Sequence, residues 1–149
     1  MPGAKLIEAR WGTVGSQLAF IHDQDLYYLS AAESSPVKIA TSPNKEWIFN
    51  GHTDWLYAED VMPDPKGFWF SPQGKNLLWA SFNDSKVPMI EFEHYGNYRN
   101  LSNQYPTPMK IRYPKPGTPN PIVTLYITDL KDSSSKSKVV TPPATITAE

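Results

Sequence analysis

"LAFIHDQDLYYLS", residues 18 to 30, decides what kind of protein this is. Two short runs rich in aromatic and branched side chains, 18–23 and 26–30, flank the step at Asp23, Gln24 and Asp25. Turn-forming residues between two apolar runs of strand length describe a tight β-hairpin. The same alternation continues along the chain in VKIA (37–40), EWIF (46–49), GFWFS (67–71), LLWASF (77–82), VPMIEFEHY (87–95), IVTLYITDL (122–130) and a last VVTP (139–142). Apolar residues at helical spacing are nearly absent. With 15 Pro, 8 Tyr and 5 Trp among 149 residues, the chain reads as all-β.

One hairpin is written twice. "WGTVGSQLAF" (11–20) aligns with "FSPQGKNLLW" (70–79): aromatic on aromatic, Gly15 on Gly74, Leu18 on Leu77, Phe20 on Trp79. An aromatic, a glycine turn and a strand start at fixed spacing suggest a hairpin reused in successive structural units. The stretch Tyr105 to Pro121 holds six prolines. Proline lacks the ladder donor, so this stretch reads as a stiff extended connection rather than a central strand.

Composition excludes several function classes. The formal net charge of −1 gives no general basis for nucleic acid or an anionic membrane as partner. The absence of cysteine removes disulfides, thiolate metal sites and a cysteine nucleophile. His22, His52 and His94 are scattered without metal-ligand spacing, so no metal and no cofactor is expected. Neither a nucleophile elbow nor a phosphate loop occurs, so no residue of this chain is assigned a catalytic role. As written, the sequence shows no signal peptide and no apolar run of membrane-spanning length.

"DWLYAED" (54–60) is the candidate binding segment. On a strand, Glu59 and Asp60 would point to opposite faces; a helical turn brings them closer together. Asp54 is a suitable N-cap, and Pro63 and Pro65 stop a helix started there, which predicts a short helical turn near 54–61. Two readings stay open on composition: a capped turn whose acids are solvated, or a partly dry carboxylate pair that holds a cation. Two sequons, Asn83 with Ser85 and Asn100 with Ser102, mark candidate glycosylation sites; about one such sequon is expected by chance.

Three stretches together carry a resemblance. "IFNGHTDWLYAED", "FWFSPQGKNLLWASFNDSKVPMIEF" and "YPKPGTPNPIVTLYITDL" are similar, in the same order, to motifs of the dipeptidyl peptidase IV family of serine exopeptidases, and the likeness runs from about Leu6 to Leu130. The family implies an eight-bladed N-terminal β-propeller followed by a catalytic α/β-hydrolase domain. This chain resembles two to three blades only, residues 1–50 and 66–149 joined by an acidic helical insert at 51–65, with the hydrolase domain absent. In the family, the last two acids of the DWxYEEE segment bind the substrate's free amino terminus, a role that falls on Glu59 and Asp60. Anchoring that ammonium makes the enzyme release X-Pro or X-Ala dipeptides. Ala58 replaces the first Glu of the pattern, and Asp60 is one methylene shorter than the Glu it replaces. Arg10 stands too near the WGTVG hairpin to match the family's upstream substrate-binding arginine.

The resemblance further implies peptide partners with a free N-terminus, the rest of the propeller and the hydrolase domain as intramolecular partners, a homodimer, and an extracellular or cell-surface location. Two other readings compete: a non-enzymatic homologue serving as an auxiliary subunit, for example of a potassium channel, and an unrelated β-sandwich that binds through its aromatics. Two or three blades alone leave unpaired strand edges, so the isolated polypeptide is expected to associate.

Overall fold

A computed structural model describes residues 5–97, 99–101, 104–132 and 136–146. Eleven strands and one short helical turn are present among them. The first sheet is an antiparallel meander of β1 (Glu8–Trp11), β2 (Leu18–His22), β3 (Asp25–Leu29) and β4 (Val37–Ala40), in that order. The β2–β3 connection is the expected tight turn. His22 pairs with Asp25, and Asp23 and Gln24 between them hold φ of 53° and 66°. Positive φ at both central residues gives a turn whose twist matches that of the strands.

The second sheet is built on β7 (Asn76–Asn83), the longest strand with β10 (Ile122–Asp129). β10 pairs along the whole of β7 on one side and carries β11 (Lys138–Val139) on its outer edge. The other side of β7 is shared by two short strands, β5 (Ile48–Asn50) and β6 (Phe68–Phe70). This pairing moves a boundary. The unit expected to end at residue 50 loses Ile48–Asn50 to the second sheet. β8 (Met89–His94) and β9 (Thr107–Arg112) form a separate two-stranded arm, most of whose residues are exposed. β9 lies within the proline-rich stretch read as a connection. It pairs with β8 alone, and a strand with one partner tolerates Pro108.

The hairpin written twice in the sequence is built twice in the fold. Trp11 pairs with Leu18 at the mouth of the first turn and Phe70 with Leu77 at the mouth of the second. Gly15 and Gly74 take the left-handed conformation at matching positions, with φ of 58° and 63°. The two turns also touch: Thr13 Oγ1 donates to the Ser71 carbonyl at 2.8 Å and Gln17 Nε2 to the Gly74 carbonyl at 2.9 Å.

The sheets pack through alternate residues. Ala19, Ile21 and Leu26 of the first sheet meet Phe68, Leu77 and Trp79 of the second in one buried cluster. Trp79 stacks on Tyr126 at 4.4 Å, and its indole N–H donates to Thr128 Oγ1 at 3.1 Å, so the buried ring has no unsatisfied donor. The opposite face of the second sheet bears Trp69, Leu125 and Ile127, each more than a third exposed.

Candidate functional site

The acidic segment hangs from an interrupted strand. β5 ends at Asn50 opposite Ser81, and β6 resumes at Phe68 opposite Trp79. Ala80, between those two, is met twice: Gly51 N–H donates to its carbonyl and Gly67 accepts from its N–H, both at 2.8 Å. One residue of an unbroken strand would make both bonds. Here two glycines divide them, and the 15 residues between leave the sheet and return.

The neck of this excursion is narrow. Gly67 N–H donates to the Gly51 carbonyl at 2.7 Å, His52 bridges to Lys66, and Thr53 N–H donates to the Pro65 carbonyl at 2.9 Å. A side chain at Gly67 would meet the carbonyl carbon of Gly51 at 3.0 Å, and Gly51 itself holds a φ of 78°. The buried His52 ties the neck to the first sheet. Its Nδ1 lies 2.9 Å from the Thr53 carbonyl, its Nε2 meets the Gln24 side-chain amide, and burial pushes the imidazole below its ordinary range. Arg10 of β1 reaches Asp64 on the far limb at 3.4 Å.

Beyond the neck the expected turn forms, wider than an ordinary helix. Asp54 heads it, with Oδ1 accepting from Tyr57 N–H at 3.4 Å and its carbonyl from Ala58 N–H at 3.1 Å. Residues Tyr57–Val61 then form a π-type turn closed by Met62 N–H on the Tyr57 carbonyl at 2.8 Å. Met62 turns extended, as a residue before proline should. Two aromatic contacts clamp the turn to the body: the Tyr57 ring stands edge-on to Phe82 of β7 at 5.1 Å, and Trp55 to Tyr113 at 5.6 Å.

Glu59 and Asp60 follow one another on this turn, and both are exposed. The dry carboxylate pair contemplated from composition is therefore not made by these two in the chain as it stands. Two other acids are buried: Asp54, at the head of the turn, is 3% exposed, and Asp84, just after β7, is 2% exposed. Sequence reasoning found Asp54 as a cap and missed Asp84, whose signal was its place in the FNDSKVP motif. Beside the turn a cavity of about 470 Å³ is lined by Trp55 and Asp84 together with Phe49, Met89, Lys110 and Arg112 among others, and neither Glu59 nor Asp60 lines it. Of the sequons, Asn83 ends β7 half-buried, with its Oδ1 accepting from Ser85 N–H at 2.9 Å. Asn100 is exposed, and Ser102 lies outside the described residues.

The family model for the N-terminal region of dipeptidyl peptidase IV matches residues 1–149. The chain belongs to that family. Among curated relatives, this dipeptidyl peptidase IV segment is 39% identical over 139 residues to venom dipeptidyl peptidase 4 of Apis mellifera, covering 92% of this chain and 18% of that protein. It is 36% identical over 140 residues to dipeptidyl peptidase 4 of Sus scrofa, covering 91% of this chain and 18% of that protein. Against the prolyl endopeptidase FAP of Homo sapiens it is 37% identical over 119 residues, covering 80% and 15%. The chain thus spans less than a fifth of the relatives it matches. Its fold is that of part of dipeptidyl peptidase 4 from Porphyromonas gingivalis, with a TM-score of 0.80 at 24% identity, over 93% of this chain and 19% of that one. The dipeptidyl peptidase IV segment is accordingly an all-β portion of a β-propeller. No helix among its described residues is long and apolar enough to cross a membrane.

Proposed function

We propose that this chain is the propeller part of a dipeptidyl peptidase IV-type serine exopeptidase that binds the free amino terminus of a peptide, with Glu59 as the principal ligand and Asp60 as its shorter partner, and gates access to the cleavage site. The observation that carries this reading is the acidic turn itself. An insert with a two-glycine neck, a capping aspartate and two aromatic clamps holds consecutive carboxylates out to solvent, where a primary ammonium can reach them. An ammonium carries three donors and a full charge, and two carboxylates supply acceptors for it at a fixed distance from the scissile bond. In this reading the Ser, Asp and His triad lies in an α/β-hydrolase domain outside these residues. The dipeptidyl peptidase names of these relatives support an exopeptidase over a non-enzymatic binding subunit, and the venom relatives support an extracellular protein; the sequons at Asn83 and Asn100 are its proposed glycan sites.

The test uses the chain itself. Glycyl-proline amide should shift the side-chain carboxyl signals of Glu59 and Asp60 in an NMR titration, and the N-acetylated peptide should not. Glu59→Gln should weaken binding about fivefold, the range of an exposed ion pair, and the double variant with Asp60→Asn should abolish the preference for a free amine. Equal binding of the acetylated peptide would overturn the reading. Gly-Pro-p-nitroanilide should not be hydrolysed by the 149 residues alone.

A further inference from the structure

The cavity beside the acidic turn holds two side chains of opposite charge, each with an atom left unpaired. Asp84 and Arg112 both line it, together with Phe49, Trp55, Met89 and Ile111. Asp84 is 2% exposed, and its Oδ1 is buried without a hydrogen-bond partner. Arg112 has its Nε in the same condition, so neither atom serves the other. A buried polar atom left unpaired costs stability, and one on a charged group costs more. Two such atoms of opposite sign in one cavity point to a ligand that enters and pairs with both.

Both groups are fixed where they stand. Asp84 donates its main-chain N–H to the Trp47 carbonyl at 2.8 Å, and its own carbonyl accepts from the Val87 N–H at 2.9 Å. Arg112, at the end of β9, gives its Nη1 to the Val87 carbonyl at 2.8 Å and lies 5.1 Å from the Trp47 ring centre. Of the other charged lining residues, Lys110 pairs with Glu91 at 3.3 Å and Glu46 is exposed to water. The rest of the wall is apolar: Trp55 and Met89 are exposed and mark its solvent side, while Phe49 and Ile111 are half-buried. A volume of about 470 Å³ lies within the range of small-molecule sites.

We propose that this cavity binds a free α-amino acid with an apolar side chain, its ammonium on Asp84 and its carboxylate on Arg112. Such a ligand carries both charges on one carbon. Its ammonium only donates and its carboxylate only accepts, which complements an unpaired carboxyl oxygen and an unpaired guanidinium N–H. The apolar side chain has Phe49, Trp55, Met89 and Ile111 to rest on, and covering it there adds a hydrophobic contribution. A ligand with only one of the two charges leaves the other atom unpaired. Neither Glu59 nor Asp60 lines the cavity, so the site is separate from the amine site on the turn and does not rest on that reading.

An NMR titration of the 149-residue chain with L-leucine tests this, read at the Asp84 carboxyl carbon, the Arg112 Nε–H and the Trp55 indole N–H. Burial first, and the Asp54 charge second, hold the Asp84 carboxyl up to about 7 against the pull of Arg112, so the titration is run at about pH 8, where that carboxyl is ionised. All three signals should move together. N-acetyl-leucine, which lacks the ammonium, and isoamylamine, which lacks the carboxylate, should each bind about tenfold more weakly or worse, the value of one hydrogen bond to a charged group. Asp84→Asn should bring leucine down toward N-acetyl-leucine, and Arg112→Gln toward isoamylamine; if either variant fails to fold, the three ligands on the wild type decide alone. Equal binding of the three would overturn the proposal. So would leucine leaving Asp84 and Arg112 unmoved, as a buried water bridging the two would have it, or shifts confined to Glu59 and Asp60. The double variant Glu59→Gln with Asp60→Asn should bind leucine unchanged, so the amine reading and this site can each fail without the other.

Discussion

Phe82→Ala should lower stability by about 3–5 kcal/mol and release the acidic turn at the same time. Phe82 is 2% exposed, sits opposite Phe49 and Val123 in the middle of the second sheet, and forms the surface against which Tyr57 rests. Truncation leaves a cavity that a paired strand cannot close, and removes the ring that fixes Tyr57. Thermal melting should drop by about 10 °C, at roughly 2–4 °C per kcal/mol for a domain of this size. A comparison separates the two effects. Leu77→Ala, in the cluster between the sheets and equally buried, should cost about 2–5 kcal/mol yet leave the turn intact. Below the melting temperatures of both variants, the Tyr57 amide should therefore exchange faster in Phe82→Ala and at the wild-type rate in Leu77→Ala. Equal rates would show that the Tyr57–Phe82 contact does not anchor the turn.

Gly67→Val should cost about 3 kcal/mol, at the upper end of the overpacking range. The added carbon would meet Gly51 C at 3.0 Å, His52 N at 3.1 Å and Gly51 O at 3.2 Å, all of them backbone atoms that cannot rotate away. Relief requires opening the neck, which breaks the Gly67 to Gly51 hydrogen bond and shifts both limbs. Binding of a free-amine peptide should fall with stability, and calorimetry beside the peptide titration would show whether the two losses travel together. At Gly15 and Gly117, where nothing lies within 4 Å, added bulk meets no such wall, although their positive φ still disfavours a side chain.

The strands and the duplicated hairpin were legible because each is written in local chemistry. Apolar runs between turn residues locate β2, β3 and β4, and the matched aromatic, glycine and leucine spacing locates two turns of one geometry. β1 escaped because Glu8 and Arg10 break its apolar pattern and it pairs on one side only. β9 escaped because proline argues against strands in general while tolerating an edge. The sheet membership of β5 was hidden for a different reason: its partner β7 lies beyond the insert, and pairing across such an excursion has no local signature. At the site, Asp54 could be named as a cap from its neighbours alone. Asp84 could not, since its burial depends on strand pairing that brings Trp47, 37 positions earlier, against it.

The interrupted strand also has a modular consequence. Asn50 stands opposite Ser81, Gly67 accepts from Ala80, and Phe68 stands opposite Trp79. Removing residues 51–66 and joining Asn50 to Gly67 would therefore leave a continuous strand in unbroken register along β7. The sheet is complete without its acidic appendage, so a loop of different length or charge could be grafted at the same two points without rewriting the scaffold. At this junction the acidic turn and the sheet that carries it are separable parts.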